Sequence, residues 1–194
     1  MLADDTTTAD VAYRAACEGT ALLWRGDFQN ARHMLQALTR RLDKTPARKV
    51  RKGAKPGEGA PTPAQTFHLH RQARAQRARV LGMLLIGIKA DYSIALRRAP
   101  DARAACAEVW AAADAQDGGA ADSVVSLREL LGMTSAHEWR RVGVEVPALG
   151  EAPNNRIYPH YGVFSPIRGE YVRLVATAHL PKVPTGQSAL VAFD

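Results

Sequence analysis

The spacing of apolar residues changes at Val142, and that change sorts the chain into two kinds of structure. Before it, apolar side chains recur at every third or fourth position, the period of a helix; after it, Val142, Val144 and Val146 alternate with polar residues, as in a strand. The expected fold is therefore mainly α: a helical domain over residues 1–141, followed over 142–194 by a β-hairpin, a helix and a last strand.

The helical part reads as a series of capped segments. "TADVAYRAACEGTALLWR" sets Val11, Ala15, Leu22 and Leu23 near one face, with Thr8 or Asp10 as the cap. Gly26 breaks that segment, and Asp27 caps the next. There Ala31, Met34, Leu35, Leu38 and Leu42 form the apolar stripe, and Arg40 and Arg41 lie in the last turn, where the helix dipole favours cations. "AQTFHLHRQARAQRARVLGMLLIGIKADY" is basic first and apolar later: Arg71, Arg74 and Arg77 are spread over one side, and Val80, Leu81, Leu84, Leu85 and Ile88 form a buried face. "RRAPDARAACAEVWAAAD" is a further helix with Pro100 in its first turn, closed by Gly118 and Gly119. Two capping boxes, Ser126-x-x-Glu129 and Ser135-x-x-Glu138, predict two short helices separated near Gly132.

Residues 44–63 interrupt this series with six Lys or Arg, four prolines, three glycines and one acid, Glu58. Such a stretch cannot bury a core. It is either an arm that touches phosphates or a solubilising insertion. The same pair of readings holds for the arginine side at 71–77, which either presents guanidinium groups to RNA or an acidic protein, or is a solvated polar face. The net charge of +7 and a pI near 9.8 favour polyanionic partners in either case.

Several classes of function are disfavoured. No run of about 18 apolar residues could cross a membrane, and "MLADDTTTAD" is acidic where a signal peptide is basic and apolar, so no membrane association and a cytoplasmic location are expected. Cys17 and Cys106 have no metal-ligand spacing and read as small apolar residues. His68 and His70, on a helix, point about 200° apart and cannot share a metal ion. No nucleophile elbow, Walker loop, G-x-G-x-x-G or H-E-x-x-H is present. Catalytic residues are therefore not assigned.

The C-terminal order is the most specific feature. "RIYPHYGVFSP" completes a strand pair, "RGEYVRLVATAHL" is a helix with Tyr171, Leu174, Val175 and Ala178 on one stripe, and "SALVAFD" reads as a short buried strand. With Phe164, Pro166, Arg168, Gly169 and Glu170 before the helix and Asp194 closing "LVAFD", this order resembles the class I S-adenosylmethionine-dependent methyltransferases, in the branch of release-factor glutamine and RNA methylases. The resemblance implies a helical substrate-recognition domain and the start of a Rossmann-like sheet. It places Pro166, Arg168, Gly169, Glu170 and Asp194 on the cofactor side; Arg71, Arg74 and Arg77, read from their own spacing and charge, are the candidate substrate-binding residues. The methyl acceptor is then RNA or protein, and S-adenosylmethionine is the cofactor of the full-length family. The glycine-rich loop D-x-G-x-G-x-G, the ribose-binding acid and the N-P-P-Y type motif of that family would lie beyond Asp194. These residues alone are thus expected to bind no cofactor and to be inactive.

Overall fold

The computed structural model describes residues 1–44, 62–163 and 169–179. The basic segment at 45–61, Phe164, Pro166, Arg168, the stretch expected to form the final strand and Asp194 lie outside the described residues. The chain forms two compact units, Met1–His137 and Glu138–Asp194.

The mainly α class holds, with six helices among the described residues. The first unit is not purely helical, however. Strands β1 (Leu2–Ala3), β2 (Leu22–Trp24), β3 (Leu84–Ile88) and β4 (Ser123–Ser126) form one sheet in the order β1-β2-β3-β4. The first three are parallel, with Leu2 opposite Leu23 and Leu22 opposite Leu84; β4 runs antiparallel to β3, with Ile86 opposite Val125. The helices are α1 (Ala9–Cys17), α2 (Phe28–Lys44), α3 (Pro63–Leu81), α4 (Arg103–Gln116) and α5 (Leu127–Val142).

The expected all-helical domain fails where one apolar run satisfies two periods. Leu81, Leu84, Leu85 and Ile88 have helical spacing, but Leu84, Ile86 and Ile88 also alternate, and in the folded chain those three are buried together. The helix ends at Gly82, and β3 takes the interior of the sheet. The same holds for "TALLW": α1 stops at Cys17, and Leu22 and Trp24 are buried from a strand. On α1 the buried residues are Ala12 and Ala16, while Val11 is half exposed. Small alanines allow that helix to lie close against its neighbours.

The core of the unit joins sheet and helices. Trp24, Leu84, Ile86 and Ile88 from the strands meet Phe28, Ala31, Met34 and Leu38 from α2 and Leu127, Leu130 and Met133 from α5. Cys106 of α4 is buried in the same cluster as a free thiol, and burial raises its pKa; Cys17 is half-buried.

Local chemistry fixes the helix starts. The Thr8 side chain accepts from the Val11 N–H, and Asp27 Oδ1 accepts from the Gln29 N–H at 2.9 Å. Thr62 and Gln65 form a reciprocal capping box with Pro63 in the first turn of α3. Ser126 Oγ accepts from the Glu129 N–H at 3.1 Å and starts α5. The second box does not open a helix: Ser135 and Glu138 lie inside α5, which continues through Gly132 because Leu130 and Met133 on either side are held in the core. Pro100 precedes α4 instead of occupying its first turn, and Gly118 and Gly119 close that region with φ of +94° and +112°.

In the second unit, β5 (Val144–Glu145) pairs antiparallel with β6 (Arg156–Ile157), the expected strand pair. A 3-10 turn at Pro147–Leu149 follows β5. Gly143 has φ of +80°, and a Cβ there would lie 2.9 Å from the Tyr158 ring, so the entry to the hairpin requires glycine. Helix α6 (Gly169–Ala176) carries the apolar stripe, but Tyr171, Leu174 and Val175 are exposed.

Candidate functional site

In an open sheet with parallel strands, ligands bind outside the carboxyl ends of the strands. In the first unit those ends carry three loops, after β1, β2 and β3, and polar side chains from all three converge. Asp5 accepts from the Asp27 N–H at 3.0 Å and from Asn30 Nδ2 at 3.0 Å. Asp27, with its side chain fully buried, accepts from Arg97 Nε at 2.8 Å and from Arg98 Nε at 2.7 Å. Gly26 lets the first two loops approach: a Cβ on it would fall 2.4 Å from Asp5 Oδ1 and 2.8 Å from the Asp5 nitrogen.

The electrostatics of this cluster are those of a clamp. Hydrogen bonding from Arg98 outweighs the cost of burial and, with Gln29 and Arg97, holds the Asp27 carboxyl at a pKa of about 2. Asp27 is therefore ionised at any ordinary pH and cannot shuttle a proton. Arg98 adopts φ of +56°, a left-handed conformation that costs an arginine on the order of 1 kcal/mol, and its bond to Asp27 holds it there.

The N-terminus of α2 would otherwise be a ready anion site. Here two carboxylates of the chain itself, Asp5 and Asp27, already accept its N–H groups. A phosphate entering at that point would have to displace those carboxylates from the N–H groups.

Beside the clamp lies a cleft of about 520 Å³ between the carboxyl ends of β2 and β3 and the start of β4. Leu23, Gly87, Leu96 and Val124 give it an apolar floor, and Arg25, Lys89 and Asp122 stand at its rim. Lys89 Nζ is 2.7 Å from Asp122 Oδ2, which lowers the Asp122 pKa. Arg25 is exposed and makes no ion pair among the described residues. This arrangement can hold a small group, with the Lys89–Asp122 ion pair as the only pair of opposite charges among its described rim residues.

The sequence-predicted substrate residues Arg71, Arg74 and Arg77 all lie on α3. They divide in two: Arg77 bonds the Asp43 carboxylate at the end of α2, whereas Arg71 and Arg74 lie on an exposed stretch covering residues 62–76. His68 and His70 share that helix, and no group of three metal-ligating side chains occurs among the described residues. Of the cofactor-side residues, Gly169 and Glu170 open α6, both exposed, with Glu170 in the first turn where a carboxylate complements the helix dipole. The four loop residues Asp5, Asp27, Arg97 and Arg98 had no sequence signal as a set, their hydrogen-bonded pairs being 22 to 71 positions apart. Only the cap at Asp27 was readable.

No described helix is long and apolar enough to cross a membrane. Comparison of the chain with family models, with curated proteins and with solved structures finds no match.

Proposed function

We propose that the chain is the substrate-recognition and linker portion of an S-adenosylmethionine-dependent methyltransferase acting on RNA or protein. The observation that carries this reading is the state of α6. A strand pair leads to a helix that starts at Gly169 and Glu170, and its apolar residues Tyr171, Leu174 and Val175 face solvent. That is the surface of a helix which flanks a sheet. On this reading the flanked sheet is Rossmann-like and carries the cofactor.

The first unit then serves the substrate. At its α2, Asp5 and Asp27 already occupy the position an anion would take. In the complete enzyme methyl transfer is an in-line displacement at a sulfonium, to which a protein contributes mainly position and electrostatics. Two tests apply. Calorimetric titration of the 194 residues with S-adenosylmethionine should show no binding, and a micromolar Kd would overturn the reading. Read from Asp194, the coding sequence should give D-x-G-x-G-x-G with Asp194 as its first residue, and the absence of that motif would also overturn it.

A second reading, a stand-alone binding module for RNA or an acidic protein, is favoured by the exposure of Arg71 and Arg74. It needs no cofactor.

A further inference from the structure

Helix α3 is built in two parts. Its inner end is fastened to the domain: Val80 and Leu81 are buried, Arg77 pairs with Asp43, and Arg79 donates to the Cys17 carbonyl at 3.3 Å. Its outer part, up to Gln76, is exposed on every side. At about 1.5 Å per residue this is an arm roughly 20 Å long. The capping box of Thr62 and Gln65 with Pro63 secures its first turn.

The chemistry of the arm is one-signed. Four arginines and no acid lie between Pro63 and Leu81. Two of the four, Arg77 and Arg79, serve attachment; Arg71 and Arg74 form no ion pair among the described residues. Phe67, Arg71 and Arg74 are spaced i, i+4 and i+7, so they share one face, with His70 beside them. Phe67 is 58% exposed although it is apolar, and the Arg71 guanidinium lies 5.9 Å from its ring centroid.

A protein groove that binds a helix reads an apolar stripe. The outer part of α3 has none, since Phe67 and Leu69 point to opposite sides. Cations one turn apart next to an exposed aromatic ring instead match an unpaired nucleic-acid strand, whose phosphates take guanidinium groups and whose bases stack on rings.

We propose that the outer half of α3 is a docking arm for single-stranded nucleic acid, with Arg71 and Arg74 on successive phosphates and Phe67 stacked on a base. This deepens the second reading above and is independent of the methyltransferase assignment. Fluorescence anisotropy of the whole chain with labelled 20-mers of oligouridylate and oligothymidylate tests it. R71Q/R74Q should weaken binding at least tenfold and reduce the slope of log K against log salt by about 1.4, at about 0.7 per phosphate on a single strand. Phe67→Ala should weaken binding about fivefold or more with the salt slope unchanged, and R128Q, an exposed charge change on α5, should do neither. Circular dichroism of the variants should be that of the parent, because every changed side chain is exposed.

Binding that R71Q/R74Q leaves intact would overturn the arm while sparing an RNA-binding reading based elsewhere. Failure to bind any strand, a preference for duplex, or equal displacement by polyglutamate would overturn both the arm and its occupant. If both oligonucleotides bind alike, the arm reads the shared strand chemistry; a requirement for uridylate adds a contact to the ribose hydroxyl.

Discussion

The two units of this chain handle apolar surface in opposite ways. In Met1–His137 the sheet and helices close over Leu22, Trp24, Phe28, Leu84, Ile86 and Leu130, each at most 2% exposed. In Glu138–Asp194 the large apolar residues Trp139, Leu149, Tyr158, Tyr171, Leu174 and Val175 are all 46% or more exposed. There Val146, Leu149, Ile157, Tyr171 and Val175 line an apolar cleft that the described residues leave open. Both units contain strands and helices with sound local signals. What separates them is the number of elements sharing a core: four strands and five helices in one, a strand pair, a short turn and one helix as the principal described elements of the other.

Substitutions can break that contrast. The largest loss is expected at Phe28→Ala, about 3–5 kcal/mol by urea denaturation, because a fully buried ring leaves a cavity. Leu84→Ala in β3 should follow at about 2–5 kcal/mol. Asp27 adds a pH signature. Its folded pKa of about 2 lies below the ordinary carboxylate value, so its stabilisation is complete above about pH 4 and is lost as pH falls through 2. Asp27→Asn should lower the urea midpoint at pH 7 and flatten the acid limb of stability between those values. Ser126→Ala should cost about 1 kcal/mol by removing the cap of α5. Leu174→Ala in α6, whose side chain is already in solvent, should stay within about 0.5 kcal/mol. A loss at Leu174 as large as that at Leu84 would show that the second unit buries its stripe after all.

Features set by neighbouring residues were readable from the sequence. The α2 stripe with its Asp27 cap, the Ser126 cap, the Gly118–Gly119 stop and the β5–β6 pair each rest on interactions within a few positions. The four-stranded sheet was not readable. Its strands are two to five residues long, too short for alternation to outvote a helical period, and β2 pairs with β3 across some sixty positions. The loop clamp was hidden for the same reason: Asp5, Asp27 and Arg98 are unremarkable until the parallel strands bring their carboxyl ends together. The arginines of α3 were legible as a charged side, but the split between anchoring Arg77 and outward Arg71 and Arg74 depends on where Asp43 falls.

Amide hydrogen exchange tests the contrast between the units most directly. Amides of Leu84–Ile88 should open only with global unfolding, exchanging at least about 1,000-fold more slowly than those of Gly169–Ala176, for a domain of ordinary stability. Equal protection of the two segments would contradict the account, because it would require α6 to be packed as firmly as the central strand.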